Sequence, residues 1–296
     1  MDKEQMAIGR LRQASEMSLL YYKKPLVVTT SGGKDSSVCV ELALRAGIPF
    51  EVMHSHTTAD APETVRFVRS EFKRLEEKGI KCILNMPTYK GEPTSMWKLI
   101  PQKLMPPTRA VRYCCSVLKE TGGKNRFITT GVRWAESAKR KNNRGIYETM
   151  PGNIKKKIIL SNDNDDTRRL FEACTLSAKR ICNPIVDWSD DDVWAFLHES
   201  GCPANPLYEC GFSRVGCIGC PMAGQHGREV EFRYWPGYKK AYIRAFDRML
   251  AERAKRGKMG GSWRTGSTGI DVFNWWMEYD VIPGQIDLLE EIDEQL

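Results

Sequence analysis

A chain of 296 residues, 41% of them hydrophobic, can bury a full core as one large domain or as a domain with a substantial extension. It contains no run of eighteen apolar residues, and its first stretch, MDKEQMAIGRLRQASEM, lacks the apolar centre of a signal peptide, so a soluble, cytoplasmic protein is expected. Ten cysteines and a formal net charge of +8 argue against a disulfide scaffold, in favour of metal or redox chemistry, and for a polyanionic ligand, nucleotide or nucleic acid.

Residues 2–23 are predicted to form an amphipathic helix, with Met6, Ile8, Leu11, Met17, Leu19 and Leu20 apolar among charged positions. The stretch Pro25 to Ser37, PLVVTTSGGKDSS, then changes character twice. The run Leu26, Val27, Val28 predicts a buried strand, two glycines break it, and from Ser36 the apolar spacing is that of a helix. Gly32 and Gly33 free the backbone to turn successive N–H groups toward an anion, and the helix N-terminus adds partial positive charge. A phosphate cradle is predicted, with neither the Walker nor the G-x-G-x-x-G spacing. Further on, IPFEVMHSHT reads as a second strand, DAPETVRFVRSEFKRLEEKG as a surface helix, and KCILNM as a third strand. TRAVRYCCSVLK, 108–119, is predicted helical, and RFITTGVRWAES begins with a fourth strand. This alternation predicts an α/β fold with a doubly wound, mostly parallel sheet and its ligand at the carboxyl ends of the strands.

At about 139–169 the periodicity dissolves into like-charge runs, KRKNNRG, NIKKK and SNDNDDTRR, which predict a long charged loop. In NPIVDWSDDDVWAFLHES, Ser189 suits a helix N-cap, and Val193, Trp194, Phe196 and Leu197 form a buried face. A cysteine-rich segment follows at 201–225. Cys217 and Cys220 form a C-x-x-C, Cys210 lies upstream, and Cys114-Cys115 form a distant pair. Soft thiolates so grouped suit zinc or an iron–sulfur cluster, and spacing leaves both open. Cys39, Cys82, Cys174, Cys182 and Cys202 read as small buried hydrophobes. Residues 226–296 form a basic helical extension, with Tyr238, Tyr242, Phe246 and Leu250 as a packing stripe. Lys239, Lys240, Arg244 and Arg248 lie on a face able to track phosphates, and Trp275-Trp276 serve as core or docking surface.

SGGKDSS resembles the S-G-G-x-D-[ST] pyrophosphate loop of the ATP pyrophosphatase superfamily at Ser31, Gly32, Gly33, Asp35, Ser36 and Ser37. Together with APET, RYCC...LK, GVRWAES, NPIVDWSDDDVW and NPLY...GC..CP, it makes the chain from about Pro25 to Met222 similar to the phosphoadenosine phosphosulfate reductase family. The resemblance implies an adenine nucleotide alpha hydrolase-like fold over 25–200, preceded by the helix of 1–24. It implies ATP and Mg²⁺ at Ser31 to Ser37, with Lys34, Asp35 and Arg133 as catalytic groups. The adenine nucleotide would be bordered by the stretch from His54 to Asp60 and by Gly131, Arg133, Glu136 and Ser137. A [4Fe-4S] cluster, with zinc as the alternative, would take four of Cys114, Cys115, Cys210, Cys217 and Cys220.

One departure bears on function. Sulfonucleotide reductases of this family attack sulfur with a cysteine in a C-terminal E-C-G-[LI]-H motif, whereas here no cysteine follows Cys220, and Glu209-Cys210-Gly211 precedes the C-x-x-C. The expected activity is therefore ATP-dependent adenylation of an acceptor in support of iron–sulfur-dependent sulfur transfer, with a nucleic-acid acceptor and a sulfur-donor protein as partners. The resemblance is nearer to the members that install phosphorothioates in DNA. The alternatives are an adenylyl-sulfate or PAPS reductase using an external thiol, and a non-catalytic nucleotide-sensing subunit of a larger complex.

Overall fold

The first strand forms where the sequence predicts it. β1 (Leu26–Thr30) buries Leu26, Val27 and Val28 and pairs in parallel with β2 (Phe50–Ser55) on one side and β6 (Phe127–Thr129) on the other. In the computed structural model, which describes residues 2–150, 158–161, 179–258, 260, 263 and 265–278, these strands belong to a seven-stranded sheet of order β3-β2-β1-β6-β9-β7-β8. β3 (Cys82–Asn85) and β9 (Lys179–Cys182) continue the parallel pairing, and β7 (Tyr147–Met150) and β8 (Ile158–Leu160) close one edge antiparallel. The chain moves outward from β1 to β3 and then returns to the other side of β1 for β6. The topological switch point, where open α/β sheets bind ligands beyond their carboxyl ends, thus lies between β1 and β6.

The chain divides into two units, Met1–Pro93 with Ser116–Cys217 and Thr94–Cys115 with Ile218–Leu296. The first contains the sheet, flanked by α1 (Lys3–Tyr22), α2 (Lys34–Ala46), α3 (Pro62–Glu76), the short α5 (Ala138–Asn143) and the helix Asp190–Ser200. Its core includes Leu11 and Ala14 of α1, Val38 and Leu42 of α2, Phe127, Tyr147, Ile185, Trp188 and Phe196. β4 (Thr88–Tyr89) and β5 (Glu92–Pro93) form a separate two-stranded ribbon. The second unit contains α4 (Met96–Lys103) and the helices Gly224–Tyr234, Pro236–Lys255 and Gly269–Met277. Tyr242, Phe246 and Leu250 of the expected stripe are buried there, and Trp276 packs against Tyr242 and Phe246 while donating from Nε1 to the Pro107 carbonyl at 2.6 Å. Trp276 is therefore core, while Trp275 meets Trp263 edge to face. Among the described residues, no helix is long and apolar enough to cross a membrane.

Several local expectations change. The stretch 139–169 is not one loop: α5, β7 and β8 are ordered within it, while 151–157 and 162–178, with Cys174, lie outside the described residues. Charge hid the hairpin because Glu148 is fully buried in β7, yet its Oε1 accepts from Arg144 at 2.7 Å and from Asn183 at 2.8 Å. A buried carboxylate with such partners does not break a strand. Helix α2 begins at Lys34, not Ser36, with Gly33 as N-cap. In 108–119 helical turns begin only at Tyr113, and Cys115–Lys119 wind as a π-helix. Pro101 inside α4 hid that helix from the periodicity.

Arg10 ties α1 to the segment after β9. Its guanidinium, 4% exposed, bonds both carboxylate oxygens of Asp187 at 2.8 and 2.9 Å and the Pro184 carbonyl at 2.8 Å. Paired donors on one carboxylate are the strong form of this contact, and removing one partner leaves the other acceptors unsatisfied. Arg10→Ala should lower the unfolding free energy by about 2–3 kcal/mol, read as a lower urea midpoint of the sheet unit by circular dichroism.

Candidate nucleotide site at the switch point

The loop Ser31–Gly33 leaves the carboxyl end of β1 and enters α2 at Lys34. Gly32 has φ +76°, and a Cβ there would lie 2.8 Å from Thr64 and 3.0 Å from Val68 of α3, so a side chain would meet both strain and a packed neighbour. The loop's amides are held by its own hydroxyls. Ser31 N–H donates to Ser36 Oγ at 3.1 Å, Gly32 N–H to Thr30 Oγ1 at 3.3 Å, and Gly33 N–H to Ser31 Oγ at 3.4 Å. Ser36 Oγ donates in turn to the Gly33 carbonyl at 2.8 Å, and Ser37 is buried in the first turns of α2.

Two residues that sequence reasoning did not assign to the site fasten this loop from outside. Asn205 Nδ2 donates to the Gly32 carbonyl at 2.9 Å and to Thr64 Oγ1 at 3.1 Å, and the Tyr208 hydroxyl accepts Lys34 N–H at 2.9 Å. Burial pushes the Tyr208 phenol up to about 12 against the opposing pull of that bond, so it remains a neutral hydroxyl. The NPLY motif, Asn205 to Tyr208, was the available signal: a short polar-aromatic turn that needs a partner elsewhere.

Charge concentrates beside the loop. Arg133, 2% exposed, bonds Asp35 Oδ1 at 2.6 Å through Nε, Asp190 Oδ1 at 2.5 Å, and the Trp188 carbonyl at 3.3 Å. Lys34 Nζ lies 3.2 Å from Asp190 Oδ1 and 3.7 Å from Asp35 Oδ2. Burial opposes the charge on Arg133, but Asp35 and Asp190 outweigh it and hold the guanidinium protonated. Burial likewise works against ionised Asp190, and the bonds from Arg133 and Lys34 prevail, leaving its carboxyl below the ordinary range. Arg133, expected as an oxyanion partner, thus sits in a two-carboxylate clamp. Asp190, legible only as a helix-start acid, links Arg133 to Lys34.

Gly131 explains how β6 reaches this point. A Cβ on it would lie 2.8 Å from the Asp35 carbonyl carbon and 3.0 Å from Ser36 N, so the backbone after β6 rests directly on the first turn of α2. Glu136 accepts from Arg133 N–H at 3.0 Å and pairs with Arg140, and Ser137 caps α5 by accepting Arg140 N–H at 3.2 Å. These two brace the Arg133 segment.

At the end of β2, His54 is buried, and its Nδ1 lies 2.9 Å from the Thr30 carbonyl. Burial lowers its pKa against the pull of that carbonyl, and Asp60, although desolvated, is kept low by His56 and Thr57.

The expected ligand cysteines divide between the units. Cys210 and Cys217 belong to the first and Cys114, Cys115 and Cys220 to the second. In the first, Cys217 Sγ donates to Thr57 Oγ1 at 3.3 Å. In the second, Arg112 donates to Cys115 Sγ at 3.3 Å, and this bond, with the Cys115, Cys220 and Cys114 sulfurs nearby, raises the guanidinium's pKa. Gly219 of the C-x-x-C has φ +71° and rests on Phe232 and Tyr242, its N–H donating to Glu231 at 2.6 Å. By contrast, burial pushes Cys82 up to about 11 and Cys202 to about 12 and raises Cys39 well above its ordinary value, which fits thiols used as small hydrophobes.

A sequence profile of the phosphoadenosine phosphosulfate reductase domain matches residues 25–223. The chain belongs to this family. Two uncharacterised proteins of Methanocaldococcus jannaschii are similar to it, one 31% identical over 65% of this chain and 40% of its own length, the other 28% identical over 88% and 48%. The chain thus spans less than half of either relative. Adenosine 5'-phosphosulfate reductase of Allochromatium vinosum is 40% identical over 18% of this chain and 21% of its own. The crystal structure of phosphoadenylyl-sulfate reductase from Candida auris, a phosphate complex, aligns with a TM-score of 0.45 at 16% identity, covering 71% of this chain and 87% of that one. The family match spans both the Ser31–Ser37 loop and the C-x-x-C.

Two outcomes follow from the packing. Gly131→Ala forces the β6 exit away from α2 at a cost of about 1–3 kcal/mol and should weaken adenine-nucleotide binding measured by calorimetry, whereas Gly9→Ala in α1, with nothing within 4 Å of its added Cβ, should bind as the parent does. Because the folded Asp190 carboxyl titrates below its unfolded value, its pairing stabilises the fold above the ordinary range near about 3.9 and is lost as pH falls through the lower folded value. Asp190→Asn should flatten that acid limb in urea midpoints measured against pH.

Proposed function

We propose that this member of the phosphoadenosine phosphosulfate reductase family is an ATP pyrophosphatase that adenylates an acceptor in support of iron–sulfur-dependent sulfur transfer, with nucleic acid as the acceptor. The observation that carries the reading is the Ser31–Ser37 loop at the switch point of the sheet, with Lys34 and Arg133 beside it. Its amide bonds to neighbouring hydroxyls, 3.1–3.4 Å long, are weak contacts that phosphate oxygens would replace with charge-assisted ones.

In this reaction an acceptor oxygen attacks the α-phosphorus, the bond from phosphorus to the bridging oxygen breaks, and pyrophosphate leaves while the acceptor keeps the adenylyl group. Negative charge grows on the leaving diphosphate, where Lys34 and the loop amides stabilise it. Asp35, clamped by Arg133, holds the first turn of α2 against the loop. With Asp190 it offers hard carboxylate oxygens suited to Mg²⁺, which would neutralise phosphate charge. Cys114, Cys115 and Cys220, with Cys217 and Cys210 as the further candidates, are soft donors suited to a [4Fe-4S] cluster, or to zinc as the alternative. A bound cluster would supply a centre able to carry sulfur. For the acceptor, support comes from the helix Pro236–Lys255 and its C-cap Arg256, which expose Lys239, Lys240, Arg244, Arg248, Lys255 and Arg256, cations of the kind that meet a phosphate backbone.

Asp35→Ala and Gly33→Val should abolish pyrophosphate release from ATP while the circular dichroism spectrum persists; release unchanged in both would refute the active-site placement. Anaerobically purified protein should be brown, with the colour and iron lost in Cys217→Ser and Cys220→Ser and kept in Cys39→Ser. A reductase would instead consume adenylyl sulfate without releasing pyrophosphate, and a sensing subunit would bind nucleotide without turnover. Mass spectrometry of nucleosides from cells with and without the protein would identify the acceptor.

A further inference from the structure

Beyond the loop and the cysteines, one further group of side chains is arranged as metal ligands are. His54, His56 and Asp60 each bring a donor atom within 4.8 Å of the other two, and among the described residues this is the one such group of three or more. All three lie in the sheet unit, at the end of β2 and in the turn after it.

Their surroundings fix them. His54, the register partner of Thr30 at the end of β1, sets its Nδ1 2.9 Å from the Thr30 carbonyl. A carbonyl can only accept, so Nδ1 carries the hydrogen and Nε2 keeps its lone pair. That is how metal-binding histidines are usually held, one ring nitrogen tied to an acceptor and the other turned to the ion. Asp60 is buried and anchored through Oδ2 by Thr57 N–H at 2.7 Å, and the same oxygen lies 3.4 Å from His56 Nδ1. Between His56 and Asp60, Thr58 takes φ +63°, a left-handed conformation costly for a β-branched residue. It turns the chain back so that Asp60 faces the histidines, and a backbone bridge from Asp60 to Cys217 pins the turn.

We propose that His54, His56 and Asp60 bind a divalent first-row transition metal through two imidazole nitrogens and one carboxylate oxygen. Two nitrogens and a carboxylate from one side of an ion are the donor set of zinc and ferrous sites that keep further positions open. Ligands 2.0–2.2 Å from an ion, about the usual range, stand closer together than 4.8 Å, so binding draws the three side chains together, with His56 the least buried of them. Nearby Cys217 is a thiol of the separate cysteine set, and the proposed site does not use it. This site does not rest on the ATP reading: it requires only the β2 exit and its turn.

The test uses the full chain carrying Cys217→Ser and Cys220→Ser, stripped with chelator and titrated with cobalt(II) and then with zinc(II). The expected result is one equivalent of cobalt with the weak visible bands of nitrogen and oxygen ligation, displaced by zinc. His56→Ala and Asp60→Asn should each weaken the affinity by at least about tenfold, with pyrophosphate release scored separately. No bound cobalt, or an affinity in both variants unchanged from that of the parent, overturns the proposal. Should either variant fail to fold, zinc-edge X-ray absorption on the unsubstituted histidine–aspartate protein decides: imidazole and oxygen scatterers support the site, and a sulfur shell or no retained zinc overturns it.

Discussion

A guanidinium that is almost entirely removed from water must find carboxylates, and Arg133 finds two, from opposite ends of the sheet unit's sequence. Asp35 lies 98 positions before it and Asp190 lies 57 after it. Desolvating one cation alone would be costly, whereas a cation shared between two acids, both of which also pair with Lys34, is compensated by them. This single knot joins the glycine loop, the exit of β6 and the start of the helix Asp190–Ser200. Gly131 makes it sterically attainable, because only a residue without Cβ lets the β6 exit rest on the backbone of α2.

The knot also sets the electrostatics of the loop. Neither Lys34 nor Arg133 is a freely swinging side chain. Both are aimed by Asp35 and Asp190. Asn205 and Tyr208 extend the same logic to the loop's backbone: one fixes a carbonyl, the other an amide, and both come from the NPLY turn rather than from the loop's own neighbourhood.

One strand away, the chemistry differs. The exit of β2 collects imidazoles and a carboxylate instead of cations, and the Thr30 carbonyl that precedes the glycine loop orients His54. Adjacent strand ends of one parallel sheet therefore carry a glycine loop flanked by cations and a nitrogen–oxygen donor set, because each strand's last residues face the same edge whatever their sequence.

Much of this was legible in the chain itself. The β-branched run before SGGKDSS, the glycine-terminated helices and the alternation of strand and helix are local patterns, and local patterns follow from backbone sterics and side-chain periodicity that need no distant partner. The sheet, the loop at its carboxyl edge and the Ser189 cap could accordingly be read from sequence. What sequence could not show depended on partners far along the chain. Glu148 looks like a loop residue until Arg144 and Asn183 bond its Oε1; Asp190 looks like a helix-start acid until Arg133 reaches it; His56 and Asp60 look unrelated until the left-handed Thr58 folds one toward the other. Residue type and spacing determined which chemistry the chain can support, an anion loop and soft thiols. Tertiary structure decided which charges meet, because the energy of a buried charge is set by what the fold places around it and not by its neighbours in sequence.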